Sequence, residues 1–273
     1  MKNIISLIIL RLWYKYTIFD NKLKYMSKYI SSIQDKRFVS GKEMFSNVRN
    51  EETASSLLYK YKKKNYITKI RKNVYLPTNP KDGYVDENKY EIGCSSVPGA
   101  YISYHSAMEY YGLQNQVFNR LYLSSPKRFR TYEFDYVEYR YAPDKLQEGI
   151  IKPIADKNIL ITDLERTIVD CADRLDLAGG IEELIYNIQL ISKIDEDKIL
   201  FYLSLYGKQV IYQKLGFIFS RLKKQFNITD HFIEECQKKI GKSTRYLTDK
   251  YESHAYLPEW KLCVPEYILL LTK

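Results

Sequence analysis

The sequence of 273 residues is poor in the residue types that define several protein classes. It contains 11 Gly and 8 Pro, too few for a collagen-like or low-complexity chain. Its 4 Cys and 3 His are widely spaced, which excludes a disulfide-stapled scaffold and provides no zinc-ligand spacing. Because 45% of the residues are hydrophobic and 28% are charged, the composition is not that of a disordered protein. The length fits two domains.

Long apolar runs are also missing. The mainly apolar stretch Ile4–Leu10 ends at Arg11, well short of the roughly 20 residues that a membrane span requires. We therefore expect no membrane partner and interpret residues 1–25 as an N-terminal extension, with an interfacial anchor as the alternative. The isolated cysteines indicate reduced thiols of a cytoplasmic protein. No phosphate-binding glycine loop or nucleophile elbow is present, so we predict no cofactor, no metal and no catalytic residue.

Positive charge is concentrated at the N-terminal end of the chain. The first 80 residues contain 17 Lys and Arg against 5 Asp and Glu, whereas residues 81–273 contain 26 against 28. This asymmetry indicates an anion-binding module attached to a nearly neutral body. The net charge of +10 would by itself allow nucleic acid, an anionic membrane surface or an acidic protein as the partner.

Residues 26–80 are predicted to form a winged helix-turn-helix. A helix is expected from Glu51 to about Lys64, and Asn65 can end it because asparagine tolerates the left-handed conformation. Two short strands then flank the basic turn Arg71-Lys72-Asn73. A basic hairpin directly after a candidate recognition helix is typical of a winged helix.

The helix predicted from residue 51 has two distinct faces. Ala54, Leu57, Leu58 and Tyr61 recur at helical spacing and are expected to face a core. The opposite side carries hydroxyl groups towards its N-terminal end and lysines towards its C-terminal end, which suits base edges and phosphates respectively. A solvated basic face is the alternative, and the basic hairpin favours the DNA-binding interpretation. The predicted DNA-binding residues are Lys42, Thr53, Ser55, Ser56, Tyr59, Lys60, Lys62, Lys63, Lys64, Lys69, Arg71 and Lys72.

The rest of the chain is predicted to mix strands and helices. Residues 81–99 are interpreted as a linker and residues 100–273 as an effector domain. We expect strands at 120–124, 150–154 and 159–162, and a strand or hairpin at 132–141. Helices are expected at 104–111, 163–175, 181–192, 196–206, 208–226 and 230–240. The last apolar segment, 255–271, is predicted to return a strand to the sheet. The fold class is therefore α+β, with a winged helix-turn-helix followed by a mixed α/β C-terminal domain rich in helices.

The acidic residues at the start of the helix predicted from residue 163 allow two interpretations. Asp163, Glu165 and Asp170 are the nucleus that a metal-dependent nuclease or another DNA-acting enzyme would need. Alternatively, the carboxylates cap the helix, and Arg166 pairs with Asp170 at i, i+4 in a structural network. The second interpretation is favoured, so the chain is predicted not to be an enzyme.

Four blocks of sequence share the pattern of a known family. They are the helix-and-hairpin segment 57–76; the segment 103–113 with Ser106 and Gly112; Asp163, Glu165, Arg166, Thr167 and Asp170 followed by Gly179 and Gly180; and Leu215-Gly216 with Tyr256–Leu262. Together they resemble the AbiEi-family antitoxins of type IV toxin–antitoxin systems. The resemblance extends from about Phe38 to Leu271. The turn ends in Asn73 where a glycine is more usual.

The resemblance implies both a DNA partner and a toxin. An N-terminal winged helix would bind inverted repeats in the operon's own promoter and act as a transcriptional repressor. The C-terminal domain would counteract a cognate nucleotidyltransferase-like toxin without a stable complex, as part of phage defence by abortive infection. The motif residues of the second and third blocks would then serve a structural or effector role.

Overall fold

The computed structural model describes residues 39–40, 51–79, 84–85, 87–156, 158–248 and 254–271. The chain divides into two compact units, 1–88 and 89–273. The described residues combine helices with three sheets in an α+β architecture. In these ranges no helix is long and apolar enough to cross a bilayer. The predicted extension at residues 1–25 lies outside the described residues.

The described part of the first unit is one helix followed by a hairpin. Its elements in chain order are β1 (Val39–Ser40), α1 (Glu51–Lys63), β2 (Ile67–Arg71) and β3 (Val74–Pro77). Strand β3 lies in the middle of the sheet and pairs antiparallel with both β1 and β2. The sequence prediction of a helix and a hairpin is confirmed.

The apolar stripe of α1 packs on this sheet. Ala54, Leu58 and Tyr61 are buried, and Leu58 and Tyr61 form a cluster with Ile67 of β2. Leu57 packs against the edge of the cluster. The prediction that these four positions of α1 face a core is confirmed.

The second unit is built on a mixed six-stranded sheet. Its strands are β4 (Tyr101–Ile102), β5 (Arg120–Ser125), β6 (Tyr132–Phe134), β7 (Val137–Pro143), β8 (Ile150–Ile151) and β9 (Ile161–Thr162). They are ordered β6-β7-β5-β4-β9-β8, and the two longest strands, β5 and β7, pair in parallel. Asp135 and Tyr136 both have positive φ and join β6 to β7 in a two-residue turn, the geometry that matches the twist of a hairpin.

Helices cover this sheet and supply most of the core. They are α2 (Lys89–Ser96), α3 (His105–Tyr110), α4 (Leu164–Asp173), α5 (Leu175–Ala178), α6 (Ile181–Gln189), α7 (Glu196–Tyr206), α8 (Gln209–Arg221), α9 (Lys223–Phe226), α10 (Asp230–Lys238) and α11 (Glu266–Leu271). Helix α4 is central and packs against α3, α6, α7 and α8.

The structure differs from the sequence prediction at three places. Residues 89–96 of the expected linker form α2, whose Ile92, Gly93 and Ser96 are buried in the second unit. The helix expected over 208–226 is interrupted at Leu222, where φ is −94° and ψ is 14°. The C-terminal segment does not join the large sheet. It forms a separate sheet from β10 (Arg245–Tyr246), β11 (His254–Leu257) and β12 (Leu262–Pro265), and then ends in α11.

Candidate functional site

The exposed face of α1 carries the side chains that the sequence predicted to contact DNA. Tyr59 is 69% exposed and points away from the core of the first unit. The other exposed members of the set on and just after this helix are Thr53, Ser55, Ser56, Lys60, Lys62, Lys63 and Lys64. The amphipathic pattern therefore divides α1 as predicted, with a buried apolar side and an outer side of hydroxyls and lysines.

The lysines on and just after α1 are not neutralised by described neighbours. Within the described ranges, Lys60, Lys62, Lys63 and Lys64 form no ion pair. By contrast, Lys145 and Lys208 of the second unit both bind the carboxylate of Asp173. Charges without an internal partner keep their full attraction for an external anion such as a phosphate.

The hairpin after α1 presents three more basic side chains. Lys69 and Lys72 are exposed and Arg71 is half-buried. Asn73 has a φ of 61°, so asparagine supplies the left-handed position at which glycine is more usual. Pairing of β2 with β3 shifts register between Lys69 and Arg71, which bends the basic end of the hairpin. Lys42 lies outside the described residues.

The second predicted motif begins where β9 leads into α4. Asp163 caps the helix, because its Oδ1 accepts a hydrogen bond from the backbone amide of Arg166 at 2.8 Å. Its Oδ2 accepts a second one from the hydroxyl of Tyr202 at 2.6 Å. Thr167 donates from Oγ1 to the backbone oxygen of Asp163 at 2.6 Å. These bonds satisfy the start of α4 and join it to α7.

Arg166 is the largest fully buried side chain in the described residues, with 1% exposure. Its Nε donates to Oδ1 of Asp170 at 2.6 Å, and its Nη1 donates to the backbone oxygen of Glu148 at 2.7 Å. The hydroxyl of Tyr206 also donates to Asp170. Burial would lower the pKa of Arg166, but the Asp170 carboxylate outweighs it and raises that pKa above its ordinary value, so the guanidinium stays charged.

This network is closed to solvent and structural in character. Asp170 and Arg166 are both 1% exposed and are held between α4, α7 and the loop before β8. Removing one member of such a pair leaves a buried charge, at a cost of about 3–5 kcal/mol. The predicted i, i+4 pair is therefore formed, and it stabilises the second unit.

The three carboxylates considered for a metal site do not converge. Asp170 pairs with Arg166 in the core. Asp163 caps α4 and Glu165 accepts a hydrogen bond from the backbone amide of Asp195 at 3.2 Å, and the ammonium of Lys198 lies 3.9 and 3.7 Å from these two carboxylates. Over the described ranges, no group of three or more His, Cys, Asp or Glu side chains is arranged to hold a metal ion.

The segment 103–113 packs into the core as a short helix. Ser106 is buried, and its hydroxyl accepts a hydrogen bond from the backbone amide of Tyr122 at 2.8 Å, which ties α3 to β5. His105 is 1% exposed, and its Nε2 lies 3.2 Å from Oε1 of Glu183. Burial lowers the pKa of His105, and hydrogen bonding to Glu183 opposes that shift. Ser106 thus contacts backbone and has no catalytic partner in the described residues.

The motif glycines occupy positions that require positive φ. Gly112 follows α3 with a φ of 73°, and Gly179 and Gly180 separate α5 from α6 with φ values of 85° and 103°. Other residues rarely adopt these angles. The glycines therefore end one helix and begin the next without strain.

Sequence reasoning missed the two tyrosines that complete the Arg166 network. Tyr202 and Tyr206 lie at i, i+4 on α7, so the same face of that helix reaches both Asp163 and Asp170. Their spacing is visible in the sequence. Their partners are more than 30 positions away, and the sequence does not show this pairing.

The comparisons with known proteins show the fold alone. No family model matches the sequence, and no curated protein matches it. The chain is similar to the crystal structure of the RV2827C protein from Mycobacterium tuberculosis, with 14% sequence identity and a TM-score of 0.60. The similarity covers 91% of this chain and 94% of that chain, so it extends over both units.

Proposed function

We propose that this chain is a DNA-binding antitoxin that represses its own operon and counteracts a nucleotidyltransferase-like toxin. One observation supports the DNA-binding part above the others. The outer face of α1 and the adjacent hairpin carry exposed lysines that have no described acidic partner. Phosphate contacts supply most of the affinity of such surfaces, whereas hydroxyls near the start of the helix can reach base edges.

The described part of the first unit supports a winged helix-turn-helix. In that fold a recognition helix is followed by a hairpin that contacts the DNA backbone or the minor groove. Helix α1 and strands β2 and β3 occur in this order, and β1 adds a third strand beside β3. Residues 51–76 would then form the recognition helix and the wing.

The antitoxin role rests on the sequence resemblance to the AbiEi family. The second unit would be the effector, and its motif residues would act by maintaining the fold. Asp163, Arg166 and Asp170 hold helix α4 in place, and Gly179 and Gly180 orient α6. A cytoplasmic location belongs to the same proposal.

Titration of the promoter tests the DNA-binding part. Labelled duplex from the region upstream of the gene is titrated with the full chain and with Lys60→Gln/Lys63→Gln, at several salt concentrations. For B-DNA each lost phosphate contact lowers the slope of log K against log salt by about 0.9. Two lost contacts should reduce affinity about 60-fold at 0.1 M salt. Unchanged affinity and slope would show that α1 does not lie on the phosphates.

A matched control separates a local effect from loss of net charge. Lys239→Gln/Lys242→Gln removes two exposed lysines from the second unit, and we expect it to leave promoter binding unchanged. Ser56→Ala should change sequence preference more than affinity, because Ser56 is placed at the base edges. The antitoxin part is tested by co-expression, where the wild-type chain should restore growth of cells that produce the toxin encoded beside it.

The nuclease alternative draws no support from the geometry. It depends on Asp163, Glu165 and Asp170 binding a shared metal ion. Asp170 is instead paired with the buried Arg166, and Asp163 and Glu165 lie 3.9 and 3.7 Å from the ammonium of Lys198.

A further inference from the structure

A shallow groove of about 600 Å³ lies on the second unit, beside strand β7. Its lining includes Arg128, Phe129, Arg130, Glu138, Arg140 and Tyr141. The first three belong to the segment between β5 and β6, and the others belong to β7. We call this surface the arginine groove.

Positive charge in the arginine groove exceeds what its own residues neutralise. Glu138 is the one carboxylate in the lining, and its Oε2 is 2.8 Å from Nε of Arg140 and 3.2 Å from Nε of Arg120. Arg128 and Arg130 are exposed and form no ion pair with any described residue. Two neighbouring guanidinium groups therefore remain available to an anion.

Aromatic rings line the same groove. The rings of Phe129 and Tyr141 are 5.8 Å apart and nearly perpendicular. The guanidinium of Arg128 lies 5.8 Å from the centre of the Tyr141 ring. Basic side chains interleaved with rings are typical of surfaces on which nucleic-acid bases stack while the backbone is held by charge.

We propose that the arginine groove binds single-stranded nucleic acid, as a second contact separate from α1. Arg128 and Arg130 hold backbone phosphates, and Phe129 and Tyr141 contact unpaired bases. A duplex presents phosphates but keeps its base faces stacked inside, so the rings favour a single strand over a double-stranded one. The proposal goes beyond promoter binding and does not depend on it.

The contribution of the two arginines is tested by measuring the affinity of the full chain for fluorescein-labelled oligothymidylate at several salt concentrations. For single strands each phosphate contact contributes a salt slope of about 0.7. Arg128→Gln/Arg130→Gln should therefore lower affinity about 25-fold at 0.1 M salt and reduce the slope by about 1.4. The control Lys239→Gln/Lys242→Gln removes the same charge from the same unit and should leave binding unchanged. Equal losses in the two variants, or no loss in either, would overturn the proposal.

Base contact is tested separately from charge. An abasic oligonucleotide with the same number of phosphates should bind at least about fivefold more weakly, because each stacked base contributes about 1 kcal/mol or more. Phe129→Leu should remove most of that difference. Two outcomes would refute the single-strand assignment, because each would show that the groove binds any anion. One is equal affinity for the abasic and the normal strand. The other is that polyglutamate displaces the labelled strand as effectively as unlabelled oligothymidylate does.

The two nucleic-acid proposals fail independently. Lys60→Gln/Lys63→Gln should lose the promoter duplex and keep oligothymidylate, whereas Arg128→Gln/Arg130→Gln should do the reverse. If the α1 variant loses oligothymidylate and the groove variant keeps it, the arginine groove is not the single-strand site.

Discussion

A test of the core of the second unit follows from the close approach of Gly216 to Trp260. Gly216 lies in the buried face of α8, and Trp260 lies in the turn between β11 and β12 with 2% exposure. A Cβ atom built on Gly216 would lie 2.2 Å from Cζ3 of the indole. Gln213, on the same helix, donates from Nε2 to the backbone oxygen of Trp260 at 2.9 Å, which fixes the turn against α8.

The effect of Gly216→Ala is the difference between two opposing contributions. Alanine stabilises the interior of a helix by about 1 kcal/mol relative to glycine. Ordinary contact, however, would require the indole to move by about 1.2 Å, from 2.2 Å to about 3.4 Å, in a packed core. Overpacking of this kind costs about 3 kcal/mol. We therefore expect Gly216→Ala to lower the free energy of unfolding by about 2 kcal/mol.

Urea unfolding followed by circular dichroism measures this change, and a second variant isolates its cause. In a Trp260→Leu background the space beside Gly216 is open, so Gly216→Ala should stabilise the chain by up to about 1 kcal/mol. The sign of the effect should therefore reverse between the two backgrounds. A stabilising effect of Gly216→Ala in the wild-type chain, or the same destabilisation in both backgrounds, would refute the packing argument.

Three further outcomes are expected from the second unit. Gly149→Ala should destabilise it by about 2 kcal/mol in urea unfolding, because Gly149 has a φ of 78° and its Cβ would lie 2.5 Å from the hydroxyl oxygen of Tyr202. Since burial holds the pKa of His105 below 6.5, the unfolded chain binds the proton more readily; stability should fall as pH drops below 6.5, and His105→Gln should lack that component. Asp173 is half-buried, which would raise its pKa, but Lys145 and Lys208 hold that pKa below 3.8. Its contribution to stability is therefore present above pH 3.8 and should be lost as pH falls through the lowered pKa, and Lys208→Gln should reduce this loss in acid unfolding curves.

Local pattern explains what the sequence could predict. Helix α1 is specified by apolar residues at helical spacing, and Asn65 and Asn73 take the left-handed conformations that asparagine tolerates. The alternation over 132–141 allowed a strand or a hairpin, and the structure forms the hairpin β6–β7 there. These features depend on residues close together in the chain, so periodicity and turn chemistry are enough.

Long-range packing explains what the sequence could not predict. The apolar C-terminal segment has the composition of a strand for the large sheet, but β12 pairs with β10 and β11 instead. The Arg166 network likewise depends on Tyr206, which is 40 positions away. Strand partners and buried side-chain partners are chosen in three dimensions, and a single sequence does not carry that choice.

The distribution of charge, and not its sum, is what makes the second unit a candidate for anion binding. Residues 81–273 have nearly equal numbers of acidic and basic residues, which taken alone suggests no attraction for nucleic acid. Many of these charges cancel within the fold, as Arg166 does with Asp170 and Lys208 does with Asp173. The guanidinium groups of Arg128 and Arg130, which form no such ion pair with described residues, line the arginine groove. Because screening in salt limits the reach of exposed charges to about 10 Å, a phosphate at the groove responds to those local groups and not to the near-zero total.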